Sequence, residues 1–220
     1  MIPDKIIDKR PITNYEETCL HDLHEALKAT GVATPKQLAN YTHMKQTHAK
    51  PLLEILISSE QVITLTGEDF HGSKIDLLVH QDNLSILDRA ADGDLSADNT
   101  TLLSPFDNLF WAKGRDSALF GFEQILECYK PEPLRRWGYF CLPILHQGKL
   151  IGRIDPKLDR KTNTLELKKT HMEDRYKPDE STIFALRKSI LDFMEFHNAV
   201  NINIRIEGDG ELAAKLSKSL

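Results

Sequence analysis

Residues 34–80 read TPKQLANYTHMKQTHAKPLLEILISSEQVITLTGEDFHGSKIDLLVH. Thr34-Pro35-Lys36-Gln37 predicts a helix start. Thr serves as cap, Pro suits the first helical position, and a Gln three residues after the cap completes a capping box. The short helix that follows carries Leu38, Ala39 and Tyr41. A further helix is expected over about 46–59, with Leu52, Leu53, Leu56 and Ile57 apolar. Pro51 is expected near its first turn, where a missing N–H costs least. Two strand-like runs come next, 61–66 and 74–80, joined by GEDFHG. Gly67 and Gly72 bracket a loop too long for a two-residue turn.

Working outward, residues 16–29 (EETCLHDLHEALKA) place Cys19, Leu20, Leu23 and Leu27 on one helical face, and Gly31 stops that helix. Residues 1–15 are polar and Pro-interrupted and read as an arm or a leftover linker. Three short helices followed by a β-hairpin describe a winged helix over residues 1–95. In that class the third helix and the hairpin tip are the parts that meet nucleic acid. Residues 81–100 (QDNLSILDRAADGDLSADNT) are acidic and turn-rich and read as a linker. From 101 to 220 the pattern predicts a small antiparallel α+β domain, so the fold class is α+β. Strands are expected at about 121–130, 136–147, 149–158 and 163–170. His146-Gln147-Gly148-Lys149 and residues 159–163 are expected as turns. Residues 179–199 read as one long amphipathic helix with Ile183, Leu186, Ile190, Phe193 and Met194 inward, and Ile202, Ile204 and Ile206 as a last strand.

A chain of 220 residues with 40% apolar and 28% charged content can bury a real core. The net charge of -5 rules out a basic nucleic-acid binder by bulk composition. The charge is uneven. Residues 130–169 hold ten Lys/Arg against four acids, a net +6 on an otherwise acidic chain. Such an island can steer toward phosphate, and it also fits a solvated strand face of alternating charge. Cys19, Cys128 and Cys141 show no CxxC spacing, which predicts a reducing compartment and, with no membrane-span-like run, the cytoplasm.

The strongest candidates for DNA-backbone contact are Arg135, Arg136, Arg153, Lys157 and Arg160. Arg suits bidentate phosphate binding. Arg153 and Lys157 are four apart on a strand and so share a face, with Asp155 between them. Their alternative reading is an Arg–Asp network holding the strands together. On the third helix, Lys45 and Lys50 suit phosphate, and Gln46 and His48 suit base edges. At the hairpin tip His71 and Lys74 compete with Glu68 and Asp69. Asp107 reads as a catalytic carboxylate or, within Ser104-Pro105-Phe106-Asp107, as part of a cap; the cap is favoured. Phe106, Phe110 and Trp111 read as core rather than a base-stacking platform. His21, His24, His43 and His48 show no zinc spacing, and no Gly-rich phosphate loop occurs, so no metal or cofactor is expected.

The stretch from Leu102 to Asp159 carries LLSPFD, then Trp111, LFGF, YKPEPLRRWGYFCLP and GKLIGRIDPK. This order resembles the C-terminal half of the winged-helix crosslink-repair DNA glycosylases, the bacterial YcaQ/AlkZ group. The resemblance implies double-stranded, damaged DNA as partner. It also implies a catalytic Gln-x-Gln or Gln-x-Asp motif in an earlier winged helix. The glutamines here are Gln37, Gln46, Gln61, Gln81, Gln124 and Gln147, and none has Gln or Asp two residues on. No catalytic residue therefore carries over. Ala112-Lys113-Gly114-Arg115 also departs from the Asp-Arg-x-Arg of the group. The expectation is a chain matching the later winged helix and C-terminal domain without the catalytic part. It would bind DNA without catalysing alone, with a separate chain supplying the catalytic pair. The alternatives are a protein–protein interaction module or a degenerate remnant.

Overall fold

The computed structural model describes residues 14–205 and 207–218. The expected arm at 1–15 falls mostly outside them, as does Ile206. By spatial contact the chain divides into two compact units. One runs to Asp94 and takes in Trp111–Gly121; the other holds Leu95–Phe110 and Phe122–Leu220.

The first unit opens with α1 (Tyr15–Thr30), capped by Asn14, whose side chain accepts from the Glu17 amide. Cys19, Leu23, Ala26 and Leu27 form its buried stripe. Gly31 stops it at φ +75°, donating its N–H to the Leu27 carbonyl. Strand β1 (Val32–Ala33) follows, then α2 (Pro35–Tyr41), whose Thr34/Gln37 capping box is present in full. Helix α3 (Gln46–Ser58) buries Ala49, Leu52, Leu53 and Leu56. One expectation fails here: Pro51 lies in the helix interior rather than the first turn. The apolar Ile57 is exposed. Pro51 is tolerated because it faces solvent, where the Thr47 carbonyl it leaves unbonded can be hydrated.

Strands β2 (Val62–Glu68) and β3 (Lys74–His80) pair in full antiparallel register, Val62 with His80 through Glu68 with Lys74. The first strand thus runs further than expected, because the Asp69 carboxylate closes the turn on the amides of His71 and Ser73. β1 adds to β3, giving the three-stranded order β1-β3-β2. Leu23, Leu27, Leu38, Leu53, Val62 and Leu78 are central to the core of this unit. The expected linker is partly structured: a 3-10 turn (Gln81–Asn83) leads into α4 (Leu84–Ala91), which buries no residue. The unexpected helix α5 (Arg115–Phe120) also belongs to this unit.

The second unit is a five-stranded sheet in the order β4-β5-β6-β7-β8. Its strands are β4 (Thr100–Leu102), β5 (Leu142–His146), β6 (Lys149–Asp159), β7 (Thr164–Met172) and β8 (Asn201–Ile204). Helix α6 (Glu180–Phe196) packs Ile183, Leu186, Ile190 and Met194 against Ile144, Ile154, Leu165 and Leu167 of the sheet. Helix α7 (Gly210–Ser217), unforeseen in the sequence, adds Leu212 and Leu216. The antiparallel expectation holds as far as β7. β8 pairs with β7 in parallel, because the chain returns through α6 before re-entering the sheet. The strand expected at 121–130 is absent, and that at 136–147 shrinks to β5.

Candidate nucleic-acid interface

Residues 122–140 form no strand, and the amides of Arg136, Trp137, Tyr139 and Phe140 bond to side chains instead. Glu127 is 2% exposed, and its carboxylate accepts from the amides of Trp137 (2.7 Å) and Arg136 (3.2 Å) and from Lys130 Nζ (2.9 Å). Burial pushes the Glu127 carboxyl up, but the Lys130 ammonium and the two amides outweigh it and hold the group at about 2. Asp155 on β6, also buried, takes the amides of Tyr139 at 2.9 Å and Phe140 at 3.0 Å. Gly138 has φ +154°, and a Cβ there would collide with the Asp155 carboxylate, so only glycine lets the chain pass this close.

Arg153 closes the arrangement. It is 2% exposed, with its guanidinium 4.1 Å from the centre of the Phe122 ring and 4.3 Å from that of Trp137. Nη1 donates to the Glu123 carbonyl (3.0 Å) and Nη2 to Glu173 (2.8 Å). The Trp137 carbonyl also meets His171 Nε2 at 3.1 Å. His171 is pushed toward the neutral form by burial and back by that carbonyl, and burial prevails. Arg153 is therefore a buried structural cation, not the surface phosphate contact expected. Asp155 likewise pairs with backbone amides rather than with Arg153 or Lys157.

The same pinning turns other side chains outward. Tyr129, Leu134 and Tyr139 are 87%, 69% and 51% exposed. Arg136 is exposed, with its guanidinium 4.1 Å over Trp137. Arg135 stands 4.8 Å over the Tyr139 ring and donates Nε to the Lys130 carbonyl at 2.8 Å. Among the described residues, neither arginine has an ion pair, whereas Lys130 is committed to Glu127. The structure thus brings Arg135 and Arg136 together on one braced loop. Lys157 and Arg160 are exposed at the far end of β6 and in the turn after it.

The candidates of the first unit stand separately. Lys45 is the exposed N-cap residue of α3, making no side-chain cap bond, and Gln46 and Lys50 are exposed. His48 is half-buried, stacked on Tyr15 at 5.6 Å between ring centres. His71 and Lys74 are exposed at the hairpin tip. Asp107 accepts from the Leu109 amide at 2.9 Å and so caps the 3-10 turn Asn108–Phe110. Phe106 and Trp111 are exposed, contrary to the core reading.

Sequence reasoning missed Glu127, whose signal was a lone acid inside the apolar run ILEC. It also missed Arg115, which is 5% exposed and donates to the carbonyls of Thr30 (2.7 Å) and Val32, closing the C-terminus of α1. A third omission is His80, buried on β3 with Nε2 2.8 Å from His24 Nε2. Its Nδ1 accepts from the Asp82 amide, so Nε2 carries the proton toward His24. Among the described residues, no group of three or more His, Cys, Asp or Glu could hold a metal ion, and no helix is long and apolar enough to cross a membrane.

A family model described as "DNA glycosylase AlkZ-like" matches residues 3–196, well over half of the chain. No solved structure matches it.

Proposed function

This chain belongs to the AlkZ-like DNA glycosylase family, and from that membership we propose that it binds duplex DNA through the braced loop 129–139, without base-excision chemistry of its own. The observation that carries the reading is the pair Arg135 and Arg136. Arg136 is exposed and Arg135 half-buried on a loop fixed by two buried carboxylates, and among the described residues neither has an ion pair. Preorganised arginines lose little freedom on meeting phosphate and can bind it bidentately. Lys157 and Arg160 would extend the contact along β6. In this reading the helices and hairpin of the first unit are a winged helix that adds Lys45, His48 and Lys50. The absence of a Gln-x-Gln or Gln-x-Asp motif supports an accessory role at alkylated or crosslinked sites, with the catalytic pair supplied by another chain.

The test is fluorescence anisotropy with labelled duplex, plain and carrying an alkylated base, over a salt series. Affinity should fall steeply with salt. Changing Arg135 and Arg136 to Ala should lower the log–log slope by about two, at roughly 0.9 per phosphate contact. Salt-insensitive or absent binding would refute the reading. Release of a base by the chain alone would refute its non-catalytic part.

A further inference from the structure

Backbone contact by the two arginines leaves the exposed rings of the same loop without a task. A folded protein gains nothing by holding Tyr129, Leu134 and Tyr139 87%, 69% and 51% exposed within an eleven-residue stretch, and clustered exposed apolar groups mark binding surfaces. Mobility does not explain them. Pro131 and Pro133 stiffen the loop, and Glu127 and Asp155 fix its amides. Residues 132–134 form a 3-10 turn, with Arg135 bonding back to Lys130. The rings are interleaved with cations, Arg135 lying over Tyr139 at 4.8 Å.

That combination, flat apolar surface beside unpaired guanidinium groups, suits one class of ligand. A nucleobase offers a π-face for the ring and its phosphate offers the charge. In intact duplex the base faces are already stacked, so a protein ring can use them only where a base is unpaired. We infer that loop 129–139 is a stacking site for an unpaired nucleotide, with Tyr129 and Tyr139 as the platforms and Arg135 and Arg136 gripping the adjoining phosphates. This rests on the DNA-binding reading and adds a preference to it: distorted or single-stranded DNA over perfect duplex.

The experiment compares three labelled probes by anisotropy with the full chain: a perfect duplex, the same duplex with a two-nucleotide bulge, and the single strand. The bulge and single strand should bind about tenfold tighter than the duplex, the scale of one base stacked on an aromatic ring. Changing Tyr129 and Tyr139 together to Ala should abolish that preference while binding to perfect duplex stays salt-dependent. Tyr129→Phe with Tyr139→Phe should keep it, since stacking needs the ring and not the hydroxyl. Equal affinity for all three probes, with salt-dependent duplex binding intact, would overturn the stacking site alone. So would a preference that survives the Ala double variant or is lost in the Phe one. No binding to any probe would overturn this inference and the DNA-binding reading together.

Discussion

Glu127 shows how one side chain sets the character of the loop. Its carboxylate replaces the strand partners that the amides of Arg136 and Trp137 would otherwise need. Held at about 2 against an ordinary 4.5, it contributes stability that is fully present above pH 4.5 and is lost as pH falls toward 2. Glu127→Gln should therefore cost about 2 kcal/mol at neutral pH, the scale of charge-assisted hydrogen bonds lost. It should also lessen the loss of stability between pH 5 and pH 3, as read by denaturant melts at each pH. His80 has the opposite chemistry and the same sign. Burial pushes its folded value below 6.5, so the unfolded chain binds the extra proton first and stability falls as pH drops below 6.5. Thermal melts from pH 7.5 to 5.5 should show that decline, and His80→Gln should flatten it.

At the scale of elements, the β5–β6 hairpin turns on two residues, His146 pairing with Lys149. Gln147 and Gly148 both have positive φ, +48° and +73°, which is the type I′ geometry matched to strand twist. Glycine adopts it freely; glutamine is strained there, and asparagine is the residue that tolerates it best. Gln147→Asn should raise stability by roughly 0.5–1 kcal/mol, measured by chemical denaturation. A loss would show that the Gln147 side chain serves a purpose beyond the turn. On the neighbouring β6–β7 pair the register shifts between Asp155 and Pro156, where proline supplies no ladder N–H. On the N-terminal side of that shift Arg153 is in the core; on the other side Lys157 is in solvent. Alternation alone put both on one face and could not tell that Arg153 is buried while Lys157 is exposed.

For the whole molecule, the notable fact is that the first unit is discontinuous, drawing Trp111–Gly121 from beyond Asp94. Arg115 on that segment holds the last carbonyls of α1, with its charge favourably placed at the negative end of the helix. Arg115→Ala should cost about 1–3 kcal/mol in that unit, from half-buried carbonyls left without their donor. A fragment ending at Asp94 should likewise melt below the same unit in the full chain, by circular dichroism. Equal stability of the fragment would show that the inserted segment adds nothing to the fold. The charge pattern belongs to this scale too. A net -5 for the chain with +6 over residues 130–169 concentrates its excess of cations on one stretch of the second unit.

The sequence by itself determined what is settled within a turn or two of chain. Thr34 and Gln37 wrote their capping box, Asp179 its cap on Thr182, and Gln147-Gly148 its hairpin, because each bond joins groups already neighbours along the backbone. Helical spacing likewise revealed the stripes of α1 and α6. The motif stretch from Leu102 onward was enough to name a family. Only the tertiary structure decided which charges are buried. Arg153, Glu127 and Asp155 look like Arg135 and Glu132 on the page, and what separates them is the partner each finds in space. Glu173 is twenty residues from Arg153, and Tyr139 sixteen from Asp155. A hydrogen bond acts over about 3 Å whatever the separation along the chain. The amides of Arg136, Trp137, Tyr139 and Phe140, at the head of the strand expected at 136–147, were claimed by carboxylates no local pattern announces, and the outward-facing side chains of the loop accompany that pinning.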